Sequence, residues 1–439
     1  MDSLIISYSG IRGIVGVSLS EQVVERYARA FGRLVTERFA RPTILLARDT
    51  RPSGNSLFHA ACKGLAPFGE LVDLGIVPTP TLQVAMKVFS AQGGLCITAS
   101  HNPSAWNGMK FFLGPDNIVL DGEQTRALCE LANEDAVTSA PVSVAERHDD
   151  AIRAHIERVL AEVDVRRPLR VALDSGGGAG LAPTRELLER LGCEVVVVSS
   201  QRESEPIPEH LGDLCRVVRD ARCDLGMAQD LDADRLALVT ELGEAPGEEQ
   251  TLVLVVHHLL QRFSSVECTV VKNVATTRAI DDVVRAHGAE LVETPVGEVN
   301  LSRALLERRE HTAFGGEGNG GVIFPPVAFG RDSLVAAALV LEHLGTGVET
   351  LSQRIALLPR YYMRKVARPH TRRFEDIVKR AAALFPDARC NDSDGLKVEL
   401  RDSWFALRLS NTEPVVRIVA ESRDPDWPSD VVDRLSALI

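Results

Sequence analysis

The sequence predicts an α/β protein of several domains, because short apolar strands alternate with amphipathic helices along most of the chain. Three rounds of strand and helix precede residue 359, and strands that alternate like hairpins follow it. Continuous apolar strands between helices are typical of parallel sheets covered on both faces. With 439 residues the chain is also too long for one ordinary core. We therefore expect three α/β units and a smaller C-terminal α+β domain.

Composition and charge are those of an ordinary globular protein with reduced thiols. Hydrophobic residues make up 45% of the chain, and the net charge of −12 argues against a general surface for nucleic acid or anionic membranes. An anionic substrate must then be bound by local basic groups. The eight cysteines form no CxxC pair, so neither a disulfide framework nor a zinc site is expected. No signal-peptide pattern or bilayer-length apolar stretch is present, and we expect a cytoplasmic protein.

The first unit begins with a strand at residues 4–7, which runs into the glycine-flanked Arg12. We interpret residues 9–14 (SGIRGI) as a loop that presents this arginine. Apolar periodicity predicts a helix over 21–39, and a continuous apolar strand over 43–47 ends in the polar sequence RDTR. Because such sheets bind ligands at the carboxyl ends of their strands, these strand ends are candidate sites.

Another strand of the first unit, at residues 94–97, ends in the sequence TASHNP. Small and polar residues hold the Ser100 hydroxyl at a turn, where the backbone can approach a phosphate. A serine there can carry a covalent group if other residues handle the charge. A serine hydrolase that uses Ser100 and His101 is disfavoured, because adjacent residues rarely reach triad geometry and no GxSxG motif is present.

The second unit has predicted strands at 169–174, 194–198 and 223–228 and a helix over 182–191. Its glycine-rich segment at 175–180 fits neither the dinucleotide-binding nor the P-loop pattern, so it predicts a tight strand-to-helix turn. The last strand leads into the acidic loop QDLDADR at 229–235.

Asp230, Asp232 and Asp234 alternate along this loop, so their carboxylates can converge on one divalent cation. Ligands that are all oxygen favour Mg²⁺ or Ca²⁺. With Glu241 the three match positions of a calcium EF-hand, but Arg235 stands where that loop needs glycine, and a strand-like segment follows. We predict a magnesium site with room for a phosphate oxygen on Ser100; the alternative is a solvated acidic turn.

The third unit has predicted helices at 249–262 and 276–287 and strands at 268–271, 290–293 and 322–324. Before its last strand lies the sequence FGGEGNGG, whose glycines allow close approach to a ligand. Glu317 and Asn319 could read neighbouring hydroxyls there, although a flexible turn explains the pattern as well.

The C-terminal domain has a predicted helix at 374–385 and strands at 395–400, 404–409 and 415–420. Between the last two strands lies RLSNTEP, followed by Arg417. Two arginines, two hydroxyls and exposed backbone N–H groups make a phosphate cradle. A hairpin turn broken by Pro414 is the alternative.

Together, these four motifs resemble the α-D-phosphohexomutases, which include phosphoglucomutase, phosphomannomutase and phosphoglucosamine mutase. That family has a TASHNP-like phosphoserine loop, a DxDxDR metal loop, a GExxGx sugar loop and an RxSNTEP-like phosphate loop, one per domain and in this order. The resemblance implies three α/β mixed-sheet domains and a smaller α+β domain around a central cleft. The domains would span residues 1–147, 148–246, 247–359 and 360–439.

The resemblance implies a phosphoserine at Ser100 that donates and recovers the phosphoryl group. Magnesium would be held by the phosphate on Ser100 with Asp230, Asp232 and Asp234. The transferring group would be surrounded by Arg12, Lys110 and Arg235. Lys110 is a candidate general base, and His101 would help to position the loop.

The resemblance also assigns the substrate contacts. Glu317 and Asn319 would contact the sugar hydroxyls. The phosphate that is not reacting would be held by Arg408, Ser410, Asn411, Thr412 and Arg417. The expected partner is a hexose or hexosamine phosphate, with no nucleic acid or membrane partner, and the expected assembly is a monomer or a homodimer.

Substrate choice depends on the loop around Asn319. Relatives of broad glucose and mannose specificity, and many bacterial phosphoglucosamine mutases, have Ser in place of Asn319 and His in place of Gly321. The sequence GEGNGGVIFP, with Gly330-Arg331-Asp332 downstream, looks more like an archaeal or Bacteroidetes phosphoglucosamine mutase. We therefore expect interconversion of glucosamine 6-phosphate and glucosamine 1-phosphate. The alternatives are a broad phosphomannomutase/phosphoglucomutase and a non-catalytic sugar-phosphate-binding paralogue.

Overall fold

The computed structural model describes residues 4–7, 9–134, 140–200, 202, 205–410 and 415–439. Asn411 and Thr412, two of the expected phosphate ligands, lie outside these residues. Among the described helices, none combines the length and the apolar character that crossing a membrane requires.

The first domain is built on an eight-stranded mixed sheet with helices on both faces. Its strands are β1 Ile5–Ser7, β2 Gly10–Ile14, β3 Thr43–Arg48, β4 Glu70–Ile76, β5 Gly93–Ile97, β6 Trp106–Leu113, β7 Ile118–Val119 and β8 Val144–Glu146. Its helices are α1 Glu21–Thr36, α2 Gly54–Leu65, α3 Thr79–Val88 and α4 Gly122–Ala132, and α5 His148–Leu160 follows the last strand.

The strand order of this sheet is β1-β2-β6-β5-β3-β4-β8, with β7 paired to β6. β3, β4 and β5 run parallel, as their continuous apolar sequences predict, whereas β6 pairs antiparallel with β5 and β2 with β6. The loop expected around Arg12 is instead strand β2, in which Arg12 is paired with Gly108. Pairing with β6 satisfies the backbone there, and this extended pairing overrides the turn preference of the flanking glycines.

The second and third domains each contain a four-stranded mixed sheet in which the last strand is antiparallel. The second has β9 Arg170–Asp174, α6 Leu181–Arg190, β10 Glu194–Val197, α7 Gly212–Asp220, β11 Leu225–Gln229 and β12 Leu236–Thr240, with a short 3₁₀ turn at Pro208–His210. The third has α8 Glu249–Arg262, β13 Cys268–Asn273, α9 Ala279–His287, β14 Glu290–Thr294, α10 Glu298–Leu306, β15 Thr312–Glu317, β16 Gly321–Ile323, α11 Ser333–Gly345 and α12 Leu351–Ala356. Their strand orders are β10-β9-β11-β12 and β14-β13-β15-β16.

The C-terminal domain is an antiparallel sheet packed against two helices. It consists of β17 Tyr362–Pro369, α13 Phe374–Ala383, β18 Arg389–Asn391, β19 Leu396–Glu399, β20 Ser403–Leu409, β21 Val415–Ser422 and α14 Trp427–Ser436. The strand order is β17-β21-β20-β19-β18. The fold is therefore the predicted one, with three mixed-sheet α/β domains followed by an α+β domain.

Buried polar contacts fix the first three domains against one another near the strand ends. Asp332 accepts hydrogen bonds from the first N–H groups of α11, a helix whose side chains are almost all buried. His155 on α5 contacts Asp332 at 2.7 Å and Thr81 on α3 at 2.8 Å. The Thr79 N–H donates to the Asp232 carbonyl at 2.9 Å, which attaches the start of α3 to the acidic loop.

Candidate active site

Many of the predicted site residues line one cleft because each follows, or lies near, the end of a strand. Ser100, Asp230, Asp232 and Asp234 are buried next to these lining residues. β5 leads to Ser100, β11 to Asp230 and β15 to Glu317, and β20 carries Arg408. The cleft has a volume of about 490 Å³. Its lining includes the predicted residues Arg12, His101, Lys110, Arg235, Glu317, Asn319, Arg408, Ser410 and Arg417. Residues from all four domains therefore face one space, as expected for a ligand that each domain contacts in part.

Ser100 is buried next to His101, which lines the cleft, and its hydroxyl is aimed at the acidic loop. Its side chain is almost fully buried, and its Oγ donates to Asp230 Oδ2 at 2.9 Å. The backbone at Ser100 is left-handed, with φ +49°, a conformation that a non-glycine residue adopts only where its surroundings impose it. The Ser100 N–H donates to Thr98 Oγ1 at 2.9 Å, which holds this turn.

Arg51 holds the Ser100 turn, a role that was not predicted from the sequence. Its Nη2 donates to the Ser100 carbonyl at 2.8 Å, and its Nη1 donates to the Pro103 carbonyl at 2.8 Å. Asp49, which is buried, accepts from Arg51 Nε at 3.2 Å and from the Thr98 hydroxyl at 2.7 Å. The signal was the polar RDTR sequence after β3: β3 is parallel to β5, so the ends of both strands lie side by side.

The three aspartates of the acidic loop converge, as their alternation predicts. Their ligand oxygens lie within 4.8 Å of one another, and all three side chains are buried. Asp230 Oδ1 accepts from the Asp234 and Arg235 N–H groups at 3.1 and 3.2 Å, which shapes the loop. Oδ1 of Asp232 and Oδ1 of Asp234 are buried without a hydrogen-bond partner. Buried oxygens without donors are costly unless a cation binds them, so this all-oxygen set fits Mg²⁺.

The carboxylates of the triplet differ in their affinity for protons. Burial raises the pKa of Asp230 well above its usual value, and repulsion from Asp234 and Asp232 raises it further. Burial also acts to raise the pKa of Asp234, but Arg331 and Lys110 outweigh it, and the pKa of Asp234 is lowered. Asp234, which Arg331 and Lys110 contact, therefore binds a proton less readily than Asp230.

Lys110 lies between two of these carboxylates. Its Nζ donates to Asp232 Oδ2 at 2.5 Å and to Asp234 Oδ2 at 2.8 Å, and it is buried. Burial acts to lower the pKa of Lys110, but Asp232 and Asp234 raise it above its usual value. In this arrangement Lys110 is an ammonium that offsets part of the negative charge of Asp232 and Asp234, and its role as a general base remains a prediction.

Two arginines and a neutral histidine contact or belong to the turn that contains Ser100. Arg12 Nη1 donates to Asn102 Oδ1 at 2.6 Å, and burial lowers the pKa of Arg12 to about 10. Arg235 Nη2 lies 2.9 Å from His101 Nδ1. Burial, with the positive charges of Arg235 and Arg12, lowers the pKa of His101 well below its usual value. His101 Nδ1 therefore accepts from Arg235 and, at 3.4 Å from Ser100 Oγ, is poorly placed to activate the serine.

Glu317 lies at the end of β15 rather than within a flexible loop. It is buried and accepts from Asn273 Nδ2 at 2.9 Å and from Asn319 Nδ2 at 3.2 Å. The turn after it contacts the second domain through Gly320, whose carbonyl accepts from the Leu236 N–H at 3.0 Å. Gly320 has φ +84°, and a Cβ there would lie 2.2 Å from the Leu236 carbonyl oxygen, so the turn requires glycine.

The predicted phosphate cradle begins with two arginines that lie opposite each other on neighbouring strands of the C-terminal sheet. Arg408 and Arg417 are direct partners in the pairing of β20 with β21. Like charges in this position repel unless an anion lies between them. Arg408 Nη1 is buried without a hydrogen-bond partner, and Ser410 lines the same wall of the cleft. The described part of the cradle therefore has the charge that a phosphate needs.

Two further charged residues, Arg331 and Glu298, line the cleft and were not predicted as site residues. Arg331 lies between β16 and α11 and contacts Asp234, Glu317 and Glu298. Glu298, the first residue of α10, is 9% exposed and lines the cleft. The signal was weak, because each is a single charged residue whose partners are distant in sequence.

Comparison with known proteins gives matches along nearly the whole chain. Sequence profiles described as phosphoglucomutase/phosphomannomutase domains I, II, III and the C-terminal domain match residues 4–138, 150–243, 247–361 and 364–438. A phosphoglucomutase/phosphomannomutase of Thermococcus kodakarensis is 35% identical over 435 residues, covering 95% of this chain and 94% of the relative. A phosphoglucosamine/phosphogalactosamine mutase of Sulfurisphaera tokodaii is 28% identical over 450 residues, covering 98% of each.

A solved structure also matches over the whole length. The crystal structure of a phosphoglucomutase/phosphomannomutase family protein from Burkholderia thailandensis is 27% identical, with a TM-score of 0.83. The match covers 99% of this chain and 97% of the other.

Proposed function

Because the chain belongs to the phosphoglucomutase/phosphomannomutase family, we propose that it moves a phosphoryl group between two positions of a hexosamine phosphate. As a member of this family it is a phosphohexomutase, an isomerase that acts on hexose phosphates. The proposed intermediate steps use Ser100 as the phosphoryl carrier. The proposed substrates are glucosamine 6-phosphate and glucosamine 1-phosphate.

The observation that carries the proposal is the position of the Ser100 hydroxyl, 2.9 Å from Asp230 Oδ2 and next to His101, which lines the same cleft as Arg408 and Arg417. Phosphoryl transfer depends mainly on positioning and on neutralising charge at the transferred group. Asp230, Asp232 and Asp234 with a phosphate on Ser100 would hold Mg²⁺, which when bound supplies positive charge at that group. Arg12, Arg235 and Lys110 add fixed positive charge on the remaining sides.

The cleft also suits a sugar that carries two phosphates at once. Ser100 would give its phosphoryl group to the substrate, forming a bond to a sugar oxygen as the bond to Ser100 Oγ breaks. The doubly phosphorylated sugar would then reorient and return its other phosphoryl group to Ser100. Arg408 and Arg417 would hold whichever phosphate is not reacting, and a volume of about 490 Å³ accommodates such a ligand.

The preference for an amino sugar is supported by two buried carboxylates on the sugar-facing wall. Glu317 and Glu298 both line the cleft, and a protonated amine is the substrate group that a desolvated carboxylate binds best. The phosphate of an uncharged hexose, such as glucose or mannose, is the second candidate substrate. It is favoured by Arg331, which lies 2.8 Å from Glu317 and 3.2 Å from Glu298 and so already neutralises part of their charge.

A coupled mutase assay tests the proposal. Glucosamine 6-phosphate, glucose 1-phosphate and mannose 1-phosphate are compared with Mg²⁺ and a trace of bisphosphorylated sugar. We expect the highest kcat/KM on the amino sugar and no turnover by Ser100→Ala. The variant Glu298→Gln should raise KM for glucosamine 6-phosphate more than for glucose 1-phosphate.

The other outcomes of this assay would each indicate a different function. Preference for the neutral sugars by the wild-type enzyme would favour the broad mutase. Binding of all three sugars without turnover, with phosphate present on Ser100, would favour a non-catalytic sugar-phosphate-binding protein.

A further inference from the structure

Arg331 is a buried arginine whose three donor nitrogens contact three different carboxylates. Nη2 donates to Asp234 Oδ2 at 2.7 Å, Nη1 to Glu317 Oε2 at 2.8 Å and Nε to Glu298 Oε2 at 3.2 Å. The residue is only 7% exposed. A guanidinium presents its donors on three separate nitrogens in one rigid plane, whereas a lysine carries all three N–H donors on a single nitrogen.

These three partners belong to different parts of the proposed machinery. Asp234 is part of the acidic triplet in the second domain, Glu317 ends β15 in the third domain, and Glu298 begins α10. Arg331 therefore connects the proposed metal loop with the proposed sugar-binding wall. Lys110 contacts Asp234 as well, but it does not contact Glu317 or Glu298 in the described structure.

The loop that carries Glu317 and Asn319 packs closely against the Arg331 side chain at Gly321. A Cβ added to Gly321 would lie 2.4 Å from Arg331 Cδ and 3.0 Å from its Cγ. Gly321 itself donates its N–H to Asn319 Oδ1 at 3.1 Å, so the same glycine also shapes the loop that carries Asn319. Glycine at 321 and arginine at 331 thus occupy complementary volumes.

We propose that Arg331 is a positioning residue that fixes Glu317 and Glu298 for sugar recognition and, through Asp234, weakens the binding of a divalent cation to the acidic triplet. The proposal deepens the proposed function and rests on it for the role of Glu317 and Glu298. The first effect follows from geometry, because Arg331 holds both carboxylates in place. The second follows from charge, because Arg331 and a metal ion compete for the same carboxylate.

In the variant Arg331→Met, catalysis should weaken while cation binding becomes tighter. A merely misfolded protein would lose both. Arg331→Met removes the charge and the contacts, so we expect kcat/KM to fall about tenfold or more while Mn²⁺ binds more tightly. Arg331→Lys keeps the charge but puts all the donors on one nitrogen of a shorter side chain, so we expect it not to hold all three carboxylates in place. Its Mn²⁺ affinity should stay near the wild-type value while KM rises. Arg29→Met, which removes an arginine from the ion pair with Glu25 on α1, is the matched control and should change neither quantity.

A double-mutant cycle tests the shared volume. Gly321→Ala should lower kcat/KM more in the wild-type background than after Arg331→Ala, where only the contact with Asn319 Oδ1 at 3.0 Å remains. Equal effects of Gly321→Ala in both backgrounds would overturn the packing part of the proposal.

The measurements are full-length enzyme kinetics and Mn²⁺ titration followed by electron paramagnetic resonance. Unchanged or weaker Mn²⁺ binding in Arg331→Met, or kcat/KM within about twofold of wild type, would overturn the proposal. If Arg331→Met does not fold, Arg331→Lys carries the test through its rise in KM at unchanged Mn²⁺ affinity. Failure of the proposed function looks different: the wild-type enzyme would turn over no sugar, while the Mn²⁺ comparison, which needs no turnover, still tests the effect on the triplet.

Discussion

Replacing Lys110 by methionine tests whether this lysine is the resident counter-charge of the acidic triplet. Methionine keeps most of the volume of the side chain and removes the ammonium that contacts Asp232 and Asp234. Breaking a buried ion pair costs about 3–5 kcal/mol, because it leaves a charge uncompensated. Thr79 still donates to Asp232 at 2.6 Å and Arg331 to Asp234 at 2.7 Å, so we expect the low end, about 3 kcal/mol.

The assay is thermal unfolding with and without Mg²⁺. Without the ion, a loss of about 3 kcal/mol in the free energy of unfolding corresponds to a fall of roughly 6–12 °C in Tm for a domain of about 150 residues. A cation that binds only the folded state stabilises it. Since Lys110→Met removes a positive charge next to the triplet, Mg²⁺ should raise the Tm of the variant by more than it raises the wild-type Tm.

The control for this experiment is Lys63→Met, because Lys63 is exposed on α2 of the same domain. It should change the free energy of unfolding by no more than about 0.5 kcal/mol. Equal Tm values for Lys110→Met and wild type without Mg²⁺, or equal shifts on adding it, would refute the reasoning.

Three further predictions concern the Ser100 turn, Glu317 on the sugar-facing wall of the cleft and a buried histidine. Arg51→Met should speed hydrogen exchange at residues 98–106 and lower kcat, because the turn loses its donors; unchanged exchange there would contradict this. Glu317→Gln should lower kcat/KM by about tenfold or more, since a charge-assisted contact with Arg331 at 2.8 Å is lost. An unchanged kcat/KM in steady-state kinetics would count against a role of Glu317 in sugar recognition. Burial lowers the pKa of His343 to about 3, from about 6.5. The unfolded chain therefore binds the proton first, and stability is lost as pH falls below about 6.5, by at most about 1.4 kcal/mol per pH unit. The Tm of His343→Asn should fall less than the wild-type Tm between pH 7 and pH 5, and parallel losses would refute it.

Local sequence was sufficient to predict the elements whose chemistry is local. The apolar runs of β3, β5 and β11 and the polar residues after them predicted both the strands and the ends that carry Ser100 and Asp230. The expected loop at Arg12 was wrong because pairing with β6, nearly a hundred residues away, decides that conformation.

Arg51, Arg331 and Glu298 were not predicted as site residues for a related reason. Each acts through contacts between segments that are distant in sequence, and a lone charged residue looks like a solvated one until its partners are known. The domain boundaries near residues 147, 246 and 359, the cytoplasmic location and the monomeric or dimeric state remain predictions.

Transfer of phosphate through Ser100 is the measurement that tests the central claim most directly. The enzyme is incubated with Mg²⁺ and a bisphosphorylated hexose that carries radiolabelled phosphate, and is then chased with unlabelled glucosamine 6-phosphate. We predict label on the peptide that contains Ser100, its transfer to the sugar within one turnover, and no labelling of Ser100→Ala. Isomerisation of the sugar while the label never enters Ser100, or enters and does not leave, would contradict the account.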